Sequence, residues 1–61
     1  MTVENYIDRV EDFFAENVGD DYDVYVDLDL ALDEDNISAA IASGTEPSDY
    51  AFQCLIDYAL S

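Results

Sequence analysis

Between Val3 and Val18 the apolar residues Val3, Tyr6, Ile7, Val10, Phe13, Phe14 and Val18 fall at offsets of 0, 3, 4, 7, 10, 11 and 15. That spacing gathers all of them on one side of an α-helix. Thr2 is placed to cap the helix at its start and Gly19 to stop it. The other side carries Glu4, Asp8, Asp12 and Glu16, an unbroken ladder of acids four residues apart. The rest of the chain must cover the apolar side and tolerate the acidic one.

The next stretch has a different period. Tyr22, Val24, Val26, Leu28, Leu30 and Leu32 alternate with Asp21, Asp23, Tyr25, Asp27, Asp29 and Ala31. A period of two predicts a strand with one buried face. Asp is a poor strand former, so the pattern carries this reading against the composition. A lone strand leaves its backbone groups unpaired, and a partner is expected next. Asp33-Glu34-Asp35-Asn36 suits a tight turn, after which Ile37, Ala39 and Ile41 alternate with Ser38, Ala40 and Ala42 as a second, shorter strand. The competing reading of residues 37–43 is a short helix, because Ala is a strong helix former and Asp33 can cap it. Gly44 ends the element in either case. The early part of the first strand, Asp21 to Val26, lacks an in-chain partner, and a homodimer pairing these strands would supply one.

The last segment predicts a second long helix, capped by Thr45 or Glu46, with Pro47 in its first turn. Ala51, Cys54, Leu55 and Tyr58 form an apolar stripe that Phe52, Ile56 and Ala59 widen. Glu46, Asp49, Gln53 and Asp57 form a polar stripe. The apolar arc is broad for a helix covering a small hairpin and hints at a second packing surface. The expected fold is α+β: a single small acidic domain over residues 1–61, in the order α-β-β-α, with two helices packed on a β-hairpin.

Composition decides what such a domain can do. The chain has 16 acidic side chains, one basic one (Arg9), no histidine and a net charge of −15. It is nevertheless 51% hydrophobic, which separates it from a disordered acidic tail. A domain near this size buries only about 60% of its unfolded surface, so its core is small. Near-absence of cations excludes direct binding of nucleic acid phosphates and attraction to anionic lipid. Histidine chemistry is absent. Cys54 is the only cysteine, so no intramolecular disulfide forms. It has no basic neighbour in sequence to activate it, and its place on an apolar face suits a buried structural thiol. The N-terminus has neither a basic start nor an apolar core of a signal peptide, and no apolar run approaches the ~20 residues of a membrane span. A cytoplasmic protein is expected.

The acids do not match familiar sites. A calcium loop requires an oxygen ligand at its fifth position and glycine at its sixth. Counting from Asp33 these are Ile37 and Ser38, and counting from Asp21 the fifth is Tyr25. No pair of carboxylates is singled out for general acid–base work. The sequence therefore predicts no enzyme, no cofactor and no metal.

The layout of charge points instead to a partner. Residues 20–36 hold eight of the 16 acids, yet the segments on either side are also negative. In a helix the Glu4–Glu16 ladder repeats about every 6 Å, and in a strand Asp21, Asp23, Asp27 and Asp29 step in units of ~6.8 Å. Both are on the scale of phosphate separations along a nucleic acid strand. Each like-charged i,i+4 pair costs a helix roughly 0.2–0.5 kcal/mol, a cost that makes sense if the surface has a use. That use would be to imitate nucleic acid before a basic groove, with fast, salt-sensitive association. The candidate contacts are the helix acids Asp8, Glu11, Asp12 and Glu16, and the strand acids Asp23, Asp27 and Asp29 with Tyr25 among them. The turn acids Asp33, Glu34 and Asp35 complete the set. Tyr22 and Tyr50 also lie near acids, and half-buried packing is the alternative reading of each tyrosine.

In size, acidity and compact pattern the whole chain resembles the small DNA-mimic inhibitors of phages and mobile elements: anti-CRISPR proteins, anti-restriction proteins and uracil-DNA glycosylase inhibitors. The resemblance carries over no motif residue. It implies an inhibitor, most closely of the anti-CRISPR type, whose partner is a basic nucleic-acid-binding protein of the host, such as a CRISPR effector or restriction enzyme. Two other readings fit the composition. A small halophilic domain would have its charge screened by a salty cytoplasm. An acidic adaptor or antitoxin would cap a basic protein surface without imitating nucleic acid.

Overall fold

The computed structural model describes residues 1–61. It contains four α-helices and no strand: α1 over Val3–Val18, α2 over Leu28–Ala31, α3 over Glu34–Ala42 and α4 over Pro47–Leu60. A 3₁₀ turn over Tyr22–Val24 lies between α1 and α2. The radius of gyration is 10.5 Å, about what a compact chain of this length should have.

The first and last helices form where their apolar periods place them. Thr2 caps α1, its hydroxyl accepting from the Asn5 N–H at 3.2 Å. Gly19 ends it at φ 89°, ψ −178°, a backbone region open essentially to glycine alone. Glu46 stands at the start of α4 and Pro47 in its first turn, where the missing proline N–H costs nothing. Tyr6, Val10 and Phe14 of α1 are fully buried at the centre of the core. α1 packs chiefly against α4, then against α3, whereas α3 and α4 make few contacts with each other.

The β-hairpin, and with it the α+β class, is overturned. Residues 22–32 form a 3₁₀ turn and a four-residue helix, and residues 34–42 form α3. The alternation fails as a guide to burial. Val26 is buried at 3% exposure, but Val24 and Leu30, on the same supposed face, are 61% and 66% exposed. Ala31, assigned to the outer face, is buried.

The reason lies in the aspartates. Asp27 caps α2, its Oδ1 accepting from the Leu30 N–H at 3.4 Å, and Asp33 caps α3, its Oδ2 accepting from the Asn36 N–H at 3.3 Å. Aspartate is among the best N-caps and the worst strand residues. Backbone groups that a strand would leave unpaired are satisfied locally, as in Ala31 N–H to the Asp27 carbonyl at 2.8 Å and Leu32 N–H to that of Leu28 at 2.9 Å. The tight turn over Asp33–Asn36 is therefore the first turn of α3, and the competing helical reading of residues 37–43 is the correct one. A homodimer built by pairing first strands loses its premise, because there is no strand.

Gly44 closes α3. Its N–H bonds the Ile41 carbonyl at 3.1 Å, and the Thr45 N–H bonds that of Ala40 at 3.0 Å. This nested pair, around a glycine at φ 76°, is a Schellman ending. It sends the chain back toward α1, where the Tyr6 hydroxyl donates to the Thr45 carbonyl at 2.8 Å.

Candidate functional site

No charged or polar side chain is buried. Fifteen of the 16 carboxylates are exposed and Glu11 is half-buried. The ladder Glu4, Asp8, Asp12 and Glu16 runs along the outer side of α1, which at 16 residues is about 24 Å long. Beside it Glu11 Oε2 accepts a 3.0 Å hydrogen bond from the Tyr22 hydroxyl, joining the 3₁₀ turn to α1. The Tyr22 ring packs on Phe14 with centroids 5.7 Å apart. The bond to Glu11 raises the Tyr22 phenol pKa, with burial and the charges of Glu11, Asp23 and Asp20 acting in the same direction. Glu11 of α1 and Asp20 and Asp23 of the following segment thus act on one phenol.

The remaining predicted contacts divide by local role. Asp23 lies within the 3₁₀ turn, and Tyr25, which ends it, is 52% exposed. Asp27 and Asp33 are caps. Asp29 stands in the first turn of α2, and Glu34 and Asp35 in that of α3. There the exposed N–H groups of the helix favour negative charge. Part of the acidity assigned to a partner therefore also starts helices. The even strand spacing expected for Asp21, Asp23, Asp27 and Asp29 does not exist; only the α1 ladder keeps a regular repeat. No group of three or more acidic, cysteine or histidine side chains is gathered closely enough to hold a metal ion. No helix is long and apolar enough to cross a membrane.

A second feature was not among the predicted contacts. Because α3 and α4 lean on α1 rather than on each other, a groove of about 920 Å³ opens between them, with α2 at its side. Tyr50 forms part of its floor. Its ring meets Tyr6 edge-on at 5.8 Å, and its hydroxyl donates to the Ala31 carbonyl at 2.6 Å. Burial is the main cause that pushes the Tyr50 phenol up to about 12, with neighbouring Cys54 next. Cys54 is a free, half-buried thiol whose pKa burial also raises. A raised thiol pKa suits a structural rather than a nucleophilic cysteine. Of the apolar arc read from the sequence only Cys54 and Tyr58 line the groove; Phe52, Ile56 and Ala59, which broaden that arc, do not, whereas Asp49, Gln53 and Asp57 of the polar stripe do.

No family model, curated protein or solved structure matches the chain.

Proposed function

We propose that this protein is an acidic DNA-mimic inhibitor. It occupies the basic nucleic-acid-binding surface of a host defence or DNA-processing protein in the host cytoplasm. In its particular form it is an anti-CRISPR protein that blocks target DNA binding. The observation that carries this reading is the α1 ladder: four exposed acids about 6 Å apart on one helix. The ladder is flanked by the acids around Tyr22, and the chain has a net charge of −15. A helix braced by a buried core holds these charges in place before the partner arrives, which reduces the ordering cost of binding.

The test is a pull-down from bacterial host lysate, followed by DNA competition on the captured protein. DNA should be excluded in proportion to occupancy, with steep salt dependence. Single substitutions in the ladder should be mild and the triple change Asp8→Asn, Asp12→Asn, Glu16→Gln severe. If the partner still binds DNA while saturated with this protein, mimicry is wrong. A second reading, an acidic adaptor capping a basic protein surface, draws support from the groove, whose apolar and aromatic lining by Leu30, Ala39, Tyr50 and Tyr58 is unlike the polar grooves of a nucleic acid duplex.

A further inference from the structure

We propose that the groove between α3 and α4 receives an amphipathic, lysine- or arginine-flanked helix of the partner protein. This deepens the proposed function and rests on it only for the basic character of the partner.

The shape comes from the packing. α1, α3 and α4 form three sides of a bundle, and α2, with four residues, is too short to be the fourth. The wall supplied by α3 presents Ala39, Ala40 and Ser43, small side chains that let another helix approach closely. The facing wall on α4 presents Tyr50, Cys54 and Tyr58 at successive four-residue steps, a continuous apolar and aromatic row. Tyr58 remains 44% exposed and Leu30, on the α2 side, 66%. Large apolar groups left open beside a concave surface mark a place where another surface is meant to lie.

The charge chooses the occupant. Asp27, Asp49 and Asp57 stand on the rim, and no Lys or Arg lines the groove. The chain's one basic side chain, Arg9, is on α1. A second copy would set carboxylates against carboxylates at −15 each. An apolar helix edged with lysine or arginine instead places methylenes on the floor and ammonium or guanidinium groups against the rim, the helix-in-groove mode of recognition. Tyr58 can add a contact between its ring face and a cation. α4, with 14 residues, offers a wall roughly 21 Å long, enough for about four turns of a bound helix.

The test uses a synthetic peptide of about 14 residues with leucines on one helical face and lysines flanking them, titrated calorimetrically into the intact protein. Saturable one-to-one binding is expected, with NMR shifts concentrated at Ala39, Gln53 and Tyr58. Filling the groove by Ala39→Phe, at an exposed position, should weaken binding about tenfold or more. Asp49→Asn with Asp57→Asn should weaken it and flatten its salt dependence. Leu30→Ser, also at an exposed position, provides an independent variant if Ala39→Phe fails to melt cooperatively. Equal binding by a scrambled peptide of the same composition would show charge attraction without a groove and overturn the proposal. So would unchanged affinity in the well-folded groove variant, dimerisation of the free protein through this face, or saturation by a small cationic amphiphile but not by the peptide. The peptide assay contains no DNA-binding partner. Its failure strikes the groove alone, and failure of DNA competition strikes mimicry alone.

Discussion

The Tyr50 hydroxyl of α4 donates a 2.6 Å hydrogen bond to the carbonyl of Ala31, the last residue of α2. Ala31 is buried, so this carbonyl at the end of a very short helix gains a partner from the far end of the chain. Three phenols act in this manner: Tyr50 on Ala31, Tyr6 on Thr45 and Tyr22 on Glu11. Each joins segments distant in sequence through a ring that also packs in or against the core.

Tyr50→Phe keeps the ring and removes the donor. The loss should be about 0.5–1.5 kcal/mol, or roughly 4–8 °C in melting temperature per kcal/mol for a domain near this size. Thermal melts followed by circular dichroism measure it. An unchanged melting temperature would show that the bond contributes nothing net.

Alkaline pH should destabilise the fold. Burial raises the Tyr50 phenol from 10.0 to about 12, so folding favours its protonated form. The associated stability is fully present below pH 10, where folded and unfolded chains both hold the proton. It is lost as the pH rises toward 12, because only the unfolded chain has released it. Tyr6, Tyr22 and Cys54 are raised as well and act with the same sign, the thiol from a lower starting point. Urea titrations across this range should show a falling midpoint, and Tyr50→Phe should flatten part of the slope.

The acids of α3 are not equivalent. Asp33→Ala removes the cap on the Asn36 N–H and should cost about 1 kcal/mol. Asp35→Ala, which removes only a first-turn charge, should cost a few tenths. Asp33→Ser, another good cap, should recover much of the loss. Equal effects for Asp33→Ala and Asp35→Ala in chemical denaturation would remove the capping role.

Salt separates the readings of the composition. Fifteen uncompensated charges repel one another, so added salt should raise the melting temperature by screening. The cooperative fold should nevertheless persist at about 50 mM salt, where the Debye length exceeds 10 Å. Unfolding at that salt concentration would favour the halophilic domain.

The sequence revealed the long helices and misled about what lies between them. Over Val3–Val18 the apolar period repeats for more than four turns, and no other structure accommodates it; the α1 ladder follows from the same pattern. Residues 22–32 show a clean alternation, yet tertiary packing buries Val26 and Ala31 and leaves Leu30 outside. A four-residue helix is too short to display a period of its own. The informative residues there were Asp27 and Asp33, whose capping preference opposed the alternation and prevailed. Among the strand and turn acids only Asp33 was legible as a possible helix cap; the others were legible as charge alone. The groove was not legible, because it arises where α3 and α4 pack on α1 rather than on each other, which no local pattern encodes, and the residues that widen the apolar arc of α4 lie outside it.

The pairing of α1 with α4 joins the two ends of the chain. On the ribosome the first helix is made before the segment that covers it most. During that interval Tyr6, Val10 and Phe14 must wait without their main partner, in a nascent chain open to clumping with its neighbours. The acids on the opposite side of the same helix already repel those neighbours. The acidic side of α1 thus also protects the chain while it is being made.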